Sequence, residues 1–148
     1  MKLRIHHFFD IIRDLGSGKE IPPHPYGHSY HIVAEKICNN AYVPIKLVTN
    51  CDDICERCNH KSNNQCTDTI SHRKDFISKE EFNNHIDNRI MEVCKLNLQS
   101  FYTPIQLCNC AEIYINHAGY IYDGNDSDHT CQRIELVKRG LHYYLDKF

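Results

Sequence analysis

The chain has 148 residues, 41% of them hydrophobic, and a net charge of −2 with histidine counted as neutral. That balance gives no electrostatic case for nucleic acid, which needs a basic face, and none for an anionic membrane surface. No stretch approaches the roughly 18 apolar residues of a membrane-crossing helix, and about 150 residues suffice for one domain with a core of its own.

In chain order, Ile5, Phe8, Phe9, Ile12 and Leu15 recur at helical spacing, so residues 5–15 read as a helix that Gly16 ends. Residues 16–27 hold three prolines and three glycines and read as loop. A second helix is expected from Ser29 to Cys38, with Tyr30, Val33, Ala34 and Ile37 inward. Residues 43–49 alternate and are the best strand candidate. Residues 50–72 are polar, with little apolar content to anchor them. Ser78 with Glu81 three residues on forms a capping box for a helix with Phe82, Ile86, Ile90 and Val93 inward. Thr103-Pro104 starts another, expected to run to His117. The last helix begins near Ser127 or Asp128 and should bury Ile134, Val137, Leu141, Tyr144 and Phe148. Asp123 to Asp128 lacks the closing glutamate of a calcium loop and reads as a turn with a cap. The fold class predicted is mainly α, or α+β with one or two short strands. It is a single compact domain over 1–148 that carries a cysteine-rich metal-binding loop over 50–72.

Nine cysteines and eleven histidines are an excess in a chain of this size. The N-terminus has no apolar signal stretch, so a cytoplasmic setting with reduced thiols is expected, and the odd cysteine count argues against a disulfide framework. Four cysteines fall within residues 51–66. Cys55 and Cys58 are three apart, as a tight turn needs to aim two thiolates at one ion. Cys66 follows after Asn59 to Gln65, enough turn-forming chain to fold back and bring a third. Sulfur ligands suit an iron–sulfur cluster or zinc, and spacing does not separate them. Cys51 and His60 are candidates for a fourth ligand, and Cys108 and Cys110 could approach in space. Cys38, Cys94 and Cys131 read as helix-borne filler or surface thiols. Cys51-x-x-x-Cys55-x-x-Cys58 matches the spacing of radical S-adenosylmethionine enzymes, but this chain is too short and too helical for their partial barrel.

The histidines form two knots. His6 and His7 open the first helix, with Asp10 three and four residues on, where a carboxylate can fix a tautomer. His24 and His28 flank Tyr26-Gly27, and His28, His31 and Glu35 would share a face if the second helix starts early enough. Such groups could hold a metal or move protons, and His6, His7, Asp10, His24 and His28 are the candidate catalytic residues.

The run Leu3-Arg-Ile-His-His-Phe, with Gly16-x-Gly18, then Asp52-Asp-Ile-Cys-x-x-Cys58 and a lone Cys66, resembles a family of small bacterial and archaeal proteins known as domain of unknown function 1284. The resemblance spans roughly residues 3 to 110. It implies an iron–sulfur protein without an assigned reaction, with Cys55, Cys58 and Cys66 as cluster ligands. The family pattern places a cysteine soon after the double histidine, where this chain has Phe8-Phe9-Asp10, and Cys51 falls at a variable position.

Three functions follow in order of preference. The first is a [4Fe–4S] cluster on three cysteines, with an open iron for non-redox lyase, desulfuration or sulfur-transfer chemistry on a small-molecule substrate. The second is a structural zinc module that binds a partner protein, and the third an electron carrier. The enzyme requires the histidine segments to fold against the cysteine loop.

Overall fold

The computed structural model describes residues 1–148. Its first helix, α1, spans Ile5–Ser17 and buries Ile5, Phe8, Phe9, Ile11 and Ile12. It runs past Gly16, contrary to expectation, and Gly18 closes it with φ 68°, a left-handed cap whose N–H returns to the Leu15 carbonyl. Gly16 has another task. It lies where the last helix, α7 (Ser127–Lys147), crosses α1 face to face with Gly140.

Short strands flank α1. β1 (Lys2–Leu3) pairs in parallel with β2 (Ile45–Leu47), and β2 pairs antiparallel with β5 (Phe101–Tyr102). Between β1 and β2 lies α2 (Tyr30–Cys38), which buries Val33, Ala34 and Ile37. A second, two-stranded sheet joins β3 (Lys61–Ser62) to β4 (Gln65–Cys66). The strands are five pieces of two or three residues, more than the one or two short strands expected; the 43–49 candidate forms only Ile45–Leu47, and the remaining elements are helices, so the fold is mainly α.

Helix α3 (Lys79–Cys94) starts where expected. The Ser78 hydroxyl accepts the Glu81 amide. Thr103 and Gln106 form a reciprocal capping box at α4 (Pro104–Cys108). The single helix expected up to His117 is two short ones, α4 and α5 (Ala111–Asn116), and a third, α6 (Ala118–Ile121), follows beyond it. Asp126 caps α7 through the His129 amide, in line with the turn-and-cap reading. On α7 Val137 and Tyr144 are buried and Ile134 and Leu141 half-buried, but Phe148 is exposed at the chain's end, where no element covers it.

One apolar core of 26 residues joins α1, α3, α5 and α7 to the three-stranded sheet. Phe9 stacks on Tyr114 at 3.8 Å with nearly parallel rings. No helix is long and apolar enough to cross a membrane.

Candidate functional site

The amino end of α1 carries the site. The first amides of a helix have no partner inside it, and Arg4, at the cap position, has no capping side chain. Two distant carboxylates serve instead. The Arg4 amide donates to Asp52 Oδ2 at 2.8 Å, and the His6 amide donates to Asp87 Oδ1 at 3.0 Å. Both carboxylates are buried, and the positive end of the helix favours their charge.

The same carboxylates orient the two histidines. His6 Nδ1 lies 2.8 Å from Asp87 Oδ1, and His7 Nδ1 lies 2.7 Å from Asp52 Oδ2. An ionised carboxylate accepts, so Nδ1 of each ring carries the proton, which leaves Nε2 for the cavity that both rings line. Burial pulls both imidazoles down. At His7 the charge and hydrogen bond of Asp52, with help from Asp10 and Asp87, outweigh it and the pKa is raised. At His6 burial wins over Asp87, the neighbouring His7 adds to it, and the pKa is lowered. The rings sit 4.2 Å apart, one favouring the charged form and the other the neutral form.

Arg4 completes this layer. Its buried guanidinium gives Nε to Asp87 at 2.7 Å, Nη1 to Glu80 at 3.2 Å and Nη2 to Asn84 at 2.6 Å. Asp10 orients neither histidine. Its Oδ1 accepts from Arg133 at 2.6 Å and Arg13 at 3.0 Å. Burial raises its pKa, but those guanidiniums outweigh it and hold the carboxyl far below the usual range.

The cysteine segment lines the same cavity. Asp52 caps a short 3-10 turn, Asp53–Arg57, by accepting the Ile54 amide. Cys55 sits in that turn and Cys58 follows it, with the Cys58 amide donating to the Cys55 carbonyl at 3.1 Å. The His60 amide then donates to Cys58 Sγ at 3.4 Å. Asn63 and Asn64 both take positive φ, 47° and 61°, and make the two-residue hairpin turn that returns Cys66 opposite Lys61. Burial is the leading influence on Cys55 and Cys66 and pushes both thiols up.

The histidine loop is tied to this segment by its backbone. The Ser29 amide donates to the Ile54 carbonyl at 2.8 Å, and the Asn59 amide donates to the Tyr26 carbonyl at 2.9 Å. Gly27 turns the chain at φ +75°, and a Cβ there would stand 3.1 Å from the Arg57 carbonyl. His24 stacks on His28 at 4.1 Å, His24 meets Tyr26 edge-on at 4.7 Å, and Tyr26 packs on His60 at 4.2 Å.

The result is one cavity of about 350 Å³ lined by every principal candidate: His6, His7, Asp10, His24, His28, Cys55, Cys58 and Cys66. His60, Tyr30, Lys79 and Arg133 line it as well. Other candidates fall elsewhere. Cys51 is buried outside the lining, beside the segment that carries Cys55. Cys108 and Cys110 lie at the α4–α5 corner, away from the cavity. α2 begins only at Tyr30, so His28 precedes it, and His28, His31 and Glu35 form no common ligand face. As the side chains stand, no three histidine, cysteine or acidic groups are gathered at metal-ion spacing.

The profile of a family described as a protein of unknown function, DUF1284, matches residues 24–138. The chain belongs to this family. The DUF1284 match takes in the histidine loop, the cysteine segment and α3. It starts after the His6-His7 pair and runs beyond residue 110, a different span from the 3–110 read from the sequence. No curated protein and no solved structure matches the chain.

Sequence reasoning missed Asp52, Asp87, Arg4, Glu80 and Lys79. Asp52 and Asp87 lie 45 and 81 residues from the histidines that they orient, and no local pattern links such positions.

Proposed function

We propose that the cavity is a metal-assisted active site for non-redox chemistry on a small molecule, with Cys55, Cys58 and Cys66 as the metal ligands and His7 and His6 as acid and base. The observation that carries this reading is the convergence of the three thiols and the two carboxylate-bound imidazoles on one cavity. The donor set fits a soft metal centre, since all three ligands are sulfur and an amide is already aimed at Cys58 Sγ. Cys55 and Cys66 are poor acids without a cation. A bound metal would deprotonate them, and their side chains would turn toward it. Held by Cys55, Cys58 and Cys66, a [4Fe–4S] cluster, the preferred occupant, would supply Lewis-acid chemistry toward a substrate oxygen or sulfur.

The chain's own residues would then divide the work. His7, raised by Asp52, gives a proton from Nε2, and His6, lowered by burial, takes one at Nε2. Asp52 and Asp87 act through these rings as positioning residues. Ile54, Phe82 and Ile86 line the cavity and limit water. His24 and His28 accept the Tyr26 and Tyr30 amides at Nδ1, so their neutral rings present Nε2–H. Asp10, fixed between two guanidiniums, serves as a charge rather than a base. Reduced cysteines throughout suit a cytoplasmic protein.

The reading is tested by purifying the protein without oxygen and counting iron, sulfide and zinc on one sample while recording its absorption spectrum. A brown protein whose iron and sulfide disappear in Cys58→Ser and persist in Cys131→Ser is the expected result. Full metal content in Cys58→Ser overturns it. A colourless protein with one zinc per chain would favour the structural clasp, for which Cys51, four residues before Cys55, is the candidate fourth sulfur.

A further inference from the structure

A second group of thiols lies where α3 ends against the α4–α5 corner. Cys94 is the last residue of α3, buried at 7% exposure, and Cys110 immediately precedes α5 and is half-buried. The Cys94 thiol donates to the Cys110 carbonyl oxygen at 3.8 Å, which sets the two residues side by side. None of this is used by the cavity.

We infer that Cys94 and Cys110 form a peroxide-responsive thiol pair, in which Cys110 is the attacking sulfur and Cys94 the resolving one. The geometry separates these roles. Cys110 is half-buried and reaches solvent, whereas Cys94 is buried. The neighbouring Cys94 also favours the Cys110 thiolate and brings that thiol down to about 7, while Cys110 and burial push the Cys94 thiol up. Cys108, buried on α4, is held protonated by burial and by the nearby Cys110 charge, and offers no competing thiolate.

The oxidant is hydrogen peroxide. The Cys110 thiolate attacks one peroxide oxygen, a sulfur–oxygen bond forms, the oxygen–oxygen bond breaks and hydroxide leaves. Cys94 then attacks the Cys110 sulfenic sulfur, the sulfur–sulfur bond forms, the sulfur–oxygen bond breaks and the Cys94 proton departs with the hydroxyl as water. Two thiols lose two electrons in all, and one peroxide becomes two waters. The two sulfurs must close to about 2.05 Å. The bridge would fasten the end of α3, whose other turns carry Asp87, Asn84 and Glu80, to the α4–α5 corner.

The test uses the full chain purified without oxygen, one equivalent of hydrogen peroxide, alkylation in denaturant and mapping of unreduced peptides. The expected product is a Cys94–Cys110 linked peptide with a mass loss of about 2 Da, formed before the exposed Cys131 is oxidised and reversed by dithiothreitol. In Cys94→Ser, dimedone should trap a sulfenic acid on Cys110. If Cys131 or the cysteine loop is consumed while Cys94 and Cys110 stay as thiols, the inference fails. It also fails if Cys110 reaches the sulfenic acid in the unmutated protein without a bridge.

Discussion

Arg4 is the most demanding residue in the molecule. A guanidinium with 1% of its residue surface exposed is stable only while its donors are matched, and Asp87, Glu80 and Asn84 match them. Asp87 is correspondingly overcommitted, since it accepts from Arg4, from the His6 amide and from the His6 ring. Removing one partner of a buried pair leaves the other uncompensated. Asp87→Ala is therefore expected to lose about 3–5 kcal/mol of stability in urea unfolding, and a loss under 1 kcal/mol would show that water or Glu80 takes over.

The two histidines give a pH signature at the same scale. His7 should titrate above the ordinary histidine value and His6 below it, read from ring resonances by NMR. In Asp52→Asn, His7 should fall while His6 moves little. The stability consequences have opposite signs. The His7 contribution is present below its unfolded pKa and is lost as pH rises through its folded one. His6 is destabilised by protonation, so its contribution is lost as pH falls below its unfolded value. Asp52 is held at about 2 because His7 and the Arg4 amide overcome its burial. Its contribution, about 2 kcal/mol, is present above its unfolded pKa and is lost as pH falls toward 2. Urea midpoints from pH 6 to pH 2 should drop less steeply in Asp52→Asn than in the unmutated protein.

At the scale of elements, the crossing of α1 and α7 depends on two glycines. A Cβ on Gly16 would lie 1.9 Å from the Leu136 carbonyl oxygen, and one on Gly140 would lie 1.8 Å from the Ile12 carbonyl oxygen. Both obstacles are backbone, so relief requires the helices to separate. Gly16→Ala and Gly140→Ala should each cost about 3 kcal/mol or more. Gly119→Ala, where a Cβ meets nothing within 4 Å, should be neutral or slightly stabilising in the same thermal scan. This contact explains what was legible here and what was not. Ser78, Thr103-Pro104 and the Asp126 turn announce helix starts because a cap is chemistry between residues two or three apart. Gly16 carries the usual mark of a helix end, and only the distant Gly140 makes it a packing position. The breaks after Cys108 and Asn116 have no glycine or proline to mark them.

At the scale of the whole molecule, the residue types of the site were legible but their supports were not. The cysteine spacing and the histidine knots identify candidates locally, and the Asn63-Asn64 turn accounts for the return of Cys66. Their union in one cavity depends on α1 presenting its amino end to Asp52 and on Tyr26 and Ser29 bonding to the cysteine segment. Few apolar side chains anchor that segment. Between residues 50 and 72 only Cys51, Asp52 and Ile54 are buried. Its backbone should open more readily than the α1–α7 core, since low local burial permits local unfolding. A metal bound by Cys55, Cys58 and Cys66 would close it by mass action, adding about 4 kcal/mol to the segment at a thousandfold excess over the dissociation constant. Amide exchange over residues 50–72 should therefore slow on metal loading and return to the apo rate with a chelator, while exchange in α7 is unchanged. Cys58→Ser should exchange at the apo rate whether or not metal is supplied, and Cys131→Ser should follow the unmutated protein. Equal slowing in Cys58→Ser would place the metal elsewhere and leave the thiols on the cavity wall without a ligand role.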